Sequence, residues 1–267
     1  MRRAAVGGVS NRARSSSGPR YAYAETSNHP LEIILFLLPL VALYEIGLVL
    51  WLRNDQHVLT NRAHIGLVNF FRIFGVRAED LHVSAMSLPS VALILTLLIW
   101  QVMSRLPWKI RWRTIPLMWL ESFALAAPLL VLAAVIGRAH FVMASNQVGE
   151  DSIRALDVVG RASMAAGAGI YEELLFRMAL MGGLHMLLFD VAKMKERNAW
   201  LIALVVSSIL FTVYHPIRDN TGALQWGRVI FLMVAGGWFG VVFQARGFGI
   251  AAGTHAAYDA TALLFTS

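Results

Sequence analysis

The chain has 267 residues, of which 57% are hydrophobic and only 15% are charged, and its mean hydropathy is +0.60. Soluble domains are roughly 45–50% apolar and about 25% charged, so this composition excludes a large soluble core. The apolar residues collect in runs long enough to cross a bilayer, which takes roughly 20 residues. The sequence contains no cysteine, which excludes disulfides, thiolate metal sites and a cysteine nucleophile.

The net charge of +7 does not indicate a nucleic-acid partner, because the basic residues form short clusters between the hydrophobic runs. That distribution is typical of the signals that set membrane topology. The sequence therefore predicts an all-α, polytopic transmembrane helical bundle with membrane lipid around it and no nucleic acid bound.

Seven spans are predicted in chain order after an Arg-rich and Ser-rich tail over residues 1–30. The tail is interpreted as a disordered cytoplasmic segment, with an organelle transit peptide as the alternative. The spans lie near residues 31–52, 84–103, 115–137, 158–189, 199–215, 228–245 and 248–265. A shorter apolar segment near 64–76 is predicted to lie in the membrane interface, and residues 138–157 form a polar loop.

The fourth predicted span, over residues 158–189, is too long for one straight helix, and Gly167 and Gly169 predict a break or kink within it. Near the C-terminus, Gly236-x-x-x-Gly240 and Gly249-x-x-x-Gly253 predict close approaches between helices. We expect three regions: the tail, N-terminal transmembrane helices and loops over 31–157, and a catalytic helical core over 158–267.

The distribution of lysine and arginine indicates the orientation. With the N-terminus inside, the inner segments carry 13 basic residues and the outer segments carry 8, which favours that orientation. We expect an integral membrane protein, most simply of the bacterial cytoplasmic membrane, with its N-terminus inside.

Ionisable residues in the C-terminal spans form the first candidate cluster. An ionised side chain at the centre of a transmembrane helix costs about 2.5–3.5 kcal/mol on insertion scales. Glu173 and Arg177 are four residues apart and can pair on one helix face. Glu172 points roughly 100° away and needs a partner from another helix, a metal or a proton.

Two further clusters follow. His215 ends an apolar run that contains Phe211, and His255 and Asp259 share a helix face within another apolar span. Each cluster alone also fits a structural role, as an ion pair, an interfacial histidine or a hydrogen-bonded His–Asp pair. Together, a glutamate, two histidines and an aspartate on three spans can converge on one water or one metal ion. The other histidines, His64 among them, are interpreted as loop or interface residues.

These motifs, in this order, resemble the CPBP family, which groups CaaX prenyl endopeptidases with bacteriocin-processing and bacteriocin-immunity membrane proteins. The family pattern is Glu-Glu-x-x-x-Arg, then Phe-x-x-x-His, then His-x-x-x-Asn/Asp, on separate helices. The matching positions are Glu172, Glu173, Arg177, Phe211, His215, His255 and Asp259.

The resemblance implies a glutamic-type intramembrane endopeptidase. Glu172 would activate water with help from His215, Glu173 and Arg177 would hold their helix in register, and His255 and Asp259 would bind a metal or stabilise an oxyanion. In the CaaX branch the last position is an asparagine, which can donate a hydrogen bond, whereas Asp259 can donate only when protonated. Glu172, His215, His255 and Asp259 are therefore also a candidate ligand set for a divalent metal such as zinc, and both mechanisms stay open.

The implied partner is a membrane-embedded or lipidated protein or peptide. A non-catalytic immunity or scaffold protein, or a transporter, is the alternative. A transporter usually shows paired broken helices in its two halves, whereas the ionisable residues here crowd into one half of the chain.

Overall fold

The computed structural model describes residues 22–52, 59–75, 87–136, 155–219 and 221–265. The regular elements within these ranges are helices, and isolated bridge residues occur at Asn61, Arg218 and Leu224. In chain order the helices are α1 (Tyr23–Thr26), α2 (Pro30–Leu50), α3 (Arg62–Ile73), α4 (Leu88–Met103), α5 (Thr114–Val135), α6 (Val158–Val191), α7 (Glu196–Tyr214) and α8 (Trp226–Phe265). Most of the predicted tail and most of the 138–157 loop lie outside the described residues.

Five of these helices are long and apolar enough to cross a membrane, namely α2, α5, α6, α7 and α8, and α4 is a shorter apolar helix of 16 residues. Helix α8 spans 40 residues and is interrupted at Gly247, whose φ of 78° and ψ of −179° are not helical. A straight helix of that length would reach roughly 60 Å, about twice the hydrocarbon thickness of a bilayer.

The two halves of α8 instead fold back on each other. The rings of Phe231 and Tyr258 have centroids 5.6 Å apart, and those of Phe239 and His255 lie 4.6 Å apart. Two crossings in α8 and one in α4 bring the count to about seven, so the prediction of an all-α polytopic bundle is confirmed.

Helix α6 does not break where the sequence predicted. It is α-helical through Gly167 and Gly169 as far as Glu173, becomes π-helical over Leu174–Met181, and is π-helical again over Leu187–Val191. The prediction of a kink at the two glycines is therefore wrong.

The glycines of α6 serve close packing instead. A Cβ atom on Gly167 would lie 2.3 Å from the Tyr44 ring, and one on Gly169 would lie 2.6 Å from the backbone nitrogen of Ala256. The glycine pairs of α8 act in the same way, because Gly240 lies against Leu204 of α7 and Gly253 against Phe36 of α2. The contacts of Gly240 and Gly253 confirm the predicted packing role of the pairs in α8. The contacts of Gly167 and Gly169 bring α6 close to α2 and to α8, respectively.

Helix α3 corresponds to the segment that the sequence placed in the membrane interface. It begins after Asn61, whose side-chain oxygen accepts a hydrogen bond from the backbone N–H of Ala63. One face is buried through Ala63, His64 and Val68, whereas Ile73 is exposed. His64 is fully buried, and its ring packs on those of Tyr44 and Tyr171. The structure places His64 on a helix and inside the protein, so its interpretation as a loop residue is wrong.

Candidate active site

The candidate site lies where α6 changes from α- to π-helix, with α7 and the second half of α8 packed against it. Its six predicted residues are at most 2% exposed: Glu172, Glu173, Arg177, His215, His255 and Asp259. Such a concentration of buried ionisable groups is costly unless each is paired or hydrogen-bonded, so the arrangement of partners determines what the site can do.

Glu172 meets partners from three different segments. Its Oε1 atom accepts a hydrogen bond of 2.8 Å from Nδ2 of Asn61. Its Oε2 atom lies 3.4 Å from Nε2 of His215 and 3.9 Å from Nε2 of His255. The structure thus brings together the three residues that the sequence expected to share one water or one metal ion.

Glu173 is held by two cationic or potentially cationic groups. Its Oε2 atom lies 3.2 Å from Nε of Arg177, as the spacing of four residues predicted. Its Oε1 atom lies 2.9 Å from Nδ1 of His255 on α8. Arg177 in turn donates a hydrogen bond of 3.0 Å to the carbonyl of Gly236, and its guanidinium stacks 4.6 Å from the centroid of Phe211. This pair therefore joins α6 to both α7 and α8.

The ring nitrogens of His215 have distinct roles. Nδ1 lies 2.7 Å from the carbonyl oxygen of Phe211, and because a carbonyl can only accept, Nδ1 must carry the hydrogen. In the neutral ring, Nε2 then has a lone pair directed at Oε2 of Glu172. The 3.4 Å between these two atoms is too short for a water on the line that joins them, but a water beside them could donate a hydrogen to each.

The position of His255 is fixed by two carboxylates. Nδ1 faces Glu173, and Nε2 lies 3.6 Å from Oδ2 of Asp259, one helical turn further along α8. The face of the ring stacks on Phe239 with an angle of 12° between the planes. An imidazolium ring would be stabilised in this place, because both its nitrogens face acidic groups.

The donor set was also tested as a metal site. Among the described residues, no group of three or more histidine, aspartate or glutamate side chains is arranged to hold a metal ion. Glu172 contacts Asn61 through Oε1 and His255 contacts Glu173 through Nδ1, so Oε2 and Nε2 are the atoms that face the other candidate ligands. Metal binding by Glu172, His215, His255 and Asp259 stays a prediction.

Sequence reasoning missed Asn61. An asparagine before Arg62-Ala63-His64 is a recognisable helix N-cap signal, so its cap could have been predicted. Its contact with Glu172 could not, because the two residues are separated by 111 positions and no pattern links them.

The comparisons with known proteins point to the same region. Residues 154–261 match the family model described as Type II CAAX prenyl endopeptidase Rce1-like. We call residues 154–261 the Rce1-like region, because they are similar to that family. This finding confirms the resemblance to the CPBP family, and the Rce1-like region contains all six candidate residues. No curated protein and no solved structure matches the chain.

The Rce1-like region begins close to the predicted start of the core at residue 158. Asn61 lies outside it, on the N-terminal side of the chain, yet contacts the first motif. The division into an N-terminal helical part and a C-terminal core stays a prediction.

Proposed function

We propose that this integral membrane protein is an intramembrane endopeptidase in which Glu172 and His215 activate a water molecule against a peptide bond. The observation that carries the proposal is the 3.4 Å separation between Oε2 of Glu172 and Nε2 of His215. One water lying beside these two atoms could contact both of them, and a carboxylate within hydrogen-bond reach of a water can serve as its general base.

The proposed reaction begins when Glu172 takes a proton from the water and the oxygen attacks the carbonyl carbon of the substrate. The resulting tetrahedral intermediate carries negative charge on the former carbonyl oxygen. Glu172 then gives the proton to the leaving nitrogen as the C–N bond breaks. The products are a new carboxyl group and a new amine, so atoms and charges balance without a cofactor.

Asp259 takes a different role from the asparagine of the CaaX branch in this proposal. An ionised aspartate cannot donate to an oxyanion. It can stabilise His255 as an imidazolium, because His255 lies between Glu173 and Asp259. The Nε2–H of that imidazolium is the donor that we propose for the oxyanion.

The substrate proposed from the Rce1-like match is a protein or peptide with a prenylated C-terminal segment lying in or beside the membrane. The complete burial of the Glu172 side chain means that a peptide reaches it only after neighbouring helices separate. A lipid-anchored or membrane-embedded substrate can approach from within the bilayer, where such a separation would open the site.

The test uses the full chain reconstituted in lipid vesicles with a fluorogenic peptide carrying a farnesylated CaaX end. The matched controls are the same peptide without the farnesyl group and an unlipidated transmembrane peptide. We expect cleavage of the farnesylated peptide by the unmodified protein and none by Glu172→Gln. Equal cleavage by both proteins would overturn the proposal, and binding without cleavage would favour the non-catalytic alternative.

A further inference from the structure

We infer that Asn61 is a positioning residue for Glu172, placed by the first turn of α3 so that the carboxylate directs one oxygen towards the two histidines. The inference rests on the proposed function. It assigns a role to a residue outside the Rce1-like region and outside all three sequence motifs.

The first step is that the direction of the Asn61 amide is fixed. Its Oδ1 atom accepts a hydrogen bond of 2.7 Å from the backbone N–H of Ala63. Only an oxygen can accept there, so the NH₂ group must be the end that faces Glu172. The side chain is fully buried, and its backbone N–H lies 3.4 Å from the hydroxyl of Tyr44.

The second step is that the amide acts on one carboxylate oxygen only. Nδ2 donates to Oε1 of Glu172 at 2.8 Å, whereas the histidine contacts of 3.4 and 3.9 Å are both made by Oε2. A hydrogen bond to a charged acceptor is stronger than one between neutral groups. It therefore holds the carboxylate in the rotamer that places Oε2 beside the two histidines.

The third step is that the start of α3 is tied to the other half of the proposed base. Arg62 donates a hydrogen bond of 2.8 Å to the carbonyl of Tyr214, and its guanidinium lies 4.9 Å from the centroid of the Tyr214 ring. Tyr214 immediately precedes His215. Asn61, which caps α3, and Arg62, its first residue, thus contact Glu172 and the segment that carries His215.

The experiment compares three substitutions that separate the helix cap from the amide donor. Asn61→Ser keeps a good N-cap oxygen, but its side chain is too short to reach Glu172. Asn61→Asp keeps the cap and the shape but replaces the donor by an acceptor, and Asn61→Ala loses both functions. Asn198→Ser, an exposed asparagine in the first turn of α7, is the control.

In reconstituted protein we expect Asn61→Ser and Asn61→Asp to lower kcat about tenfold to a hundredfold with KM unchanged. Tm should fall less in Asn61→Ser than in Asn61→Asp, because the aspartate adds a second buried carboxylate beside Glu172. Asn61→Ala should lose the same kcat and also melt earlier, and the control should match the unmodified protein. If Asn61→Ser or Asn61→Asp keeps the kcat of the unmodified protein and only Asn61→Ala loses activity, Asn61 acts as a helix cap alone and the inference is overturned.

Glu172→Gln in the same assay separates a failure of the proposed function from a failure of the positioning role of Asn61. If Glu172→Gln is inactive while Asn61→Ser is fully active, the proposed function stands and only the positioning role fails. If Glu172→Gln cleaves the peptide as fast as the unmodified protein does, both the proposed function and the positioning role are wrong.

Discussion

Nδ1 of His255 lies 2.9 Å from Oε1 of Glu173, so the first and third motifs are joined directly between α6 and α8. The nearest histidine therefore differs between the two glutamates: it is His215 for Glu172 and His255 for Glu173. Glu172 is the glutamate that we propose to hold the water, whereas Glu173 is bound to Arg177.

This division predicts different consequences for the two glutamates. Glu172→Gln should abolish hydrolysis with the fold intact, because an amide cannot take a proton from water. Glu173→Gln should mainly lower stability or expression, because it weakens contacts with Arg177 and His255. Activity per folded molecule, with folding measured by size-exclusion chromatography and Tm, checks both. A well-folded, inactive Glu173→Gln beside an active Glu172→Gln would reverse the roles.

The buried ion pair predicts a strong effect at Arg177. Removing one partner leaves an uncompensated buried charge, so Arg177→Met should destabilise the protein by about 3–5 kcal/mol. The double substitution Arg177→Met with Glu173→Gln should recover part of that loss, because the stranded carboxylate is removed as well. Denaturant unfolding in detergent measures the coupling, and additive losses in the double variant would contradict this account of the pair.

The close approach of α6 and α8 predicts that Gly169→Ala is damaging. The new Cβ would lie 2.6 Å from the backbone nitrogen of Ala256 and 2.7 Å from the carbonyl oxygen of Ala252. Backbone atoms cannot rotate away, so the helices must separate at a cost of about 1–3 kcal/mol. His255 moves with them, and activity should fall together with Tm.

Gly183→Ala is the matched control on the same helix, because no atom lies within 4 Å of a Cβ atom built there. Alanine is the better helix former by up to about 1 kcal/mol, so this variant should be neutral or slightly more stable. Equal behaviour of Gly169→Ala and Gly183→Ala would mean that the helices do not meet as closely as described.

Chelation separates the glutamate-only mechanism from a metal-dependent one. Because no group of three or more histidine or acidic side chains among the described residues is arranged to hold a metal ion, we expect activity to persist in excess chelator. Asp259→Asn should then keep part of the activity in chelator, because the amide can itself donate to an oxyanion. Two results together would establish the metal mechanism instead. Chelation would abolish activity and added zinc, cobalt or manganese would restore it, and Asp259→Asn would weaken the affinity of the protein for the metal.

The local part of the site could be predicted from sequence because helix geometry alone determines it. Residues four apart lie on one helix face, and the Glu173–Arg177 and His255–Asp259 pairs are both found at salt-bridge distance, 3.2 and 3.6 Å. The run lengths likewise predicted the helical spans, including the boundary in α8 near Gly247.

The contacts between helices could not be predicted in the same way. A sequence pattern pairs Glu173 with its nearest cation, Arg177, and contains no information on the rotation of α8 that presents His255. The π-helical turn after Glu173 has the same apolar composition as an α-helix, so the irregularity was assigned to glycines that in fact permit close packing. The contact between Asn61 and Glu172 becomes visible only in the tertiary structure.

The sharp turn at Gly247 affects proteolysis of the protein and its insertion into the membrane. The residue alone turns the chain between the two halves of α8, and its Cβ position is closed by Asn28, whose Oδ1 atom would lie 2.0 Å away. A turn this short gives an added soluble protease no extended strand to grip, so cleavage between the last two crossings should be resisted even in detergent. It also leaves little chain to translocate separately, which favours entry of both crossings into the bilayer as a single paired hairpin during synthesis.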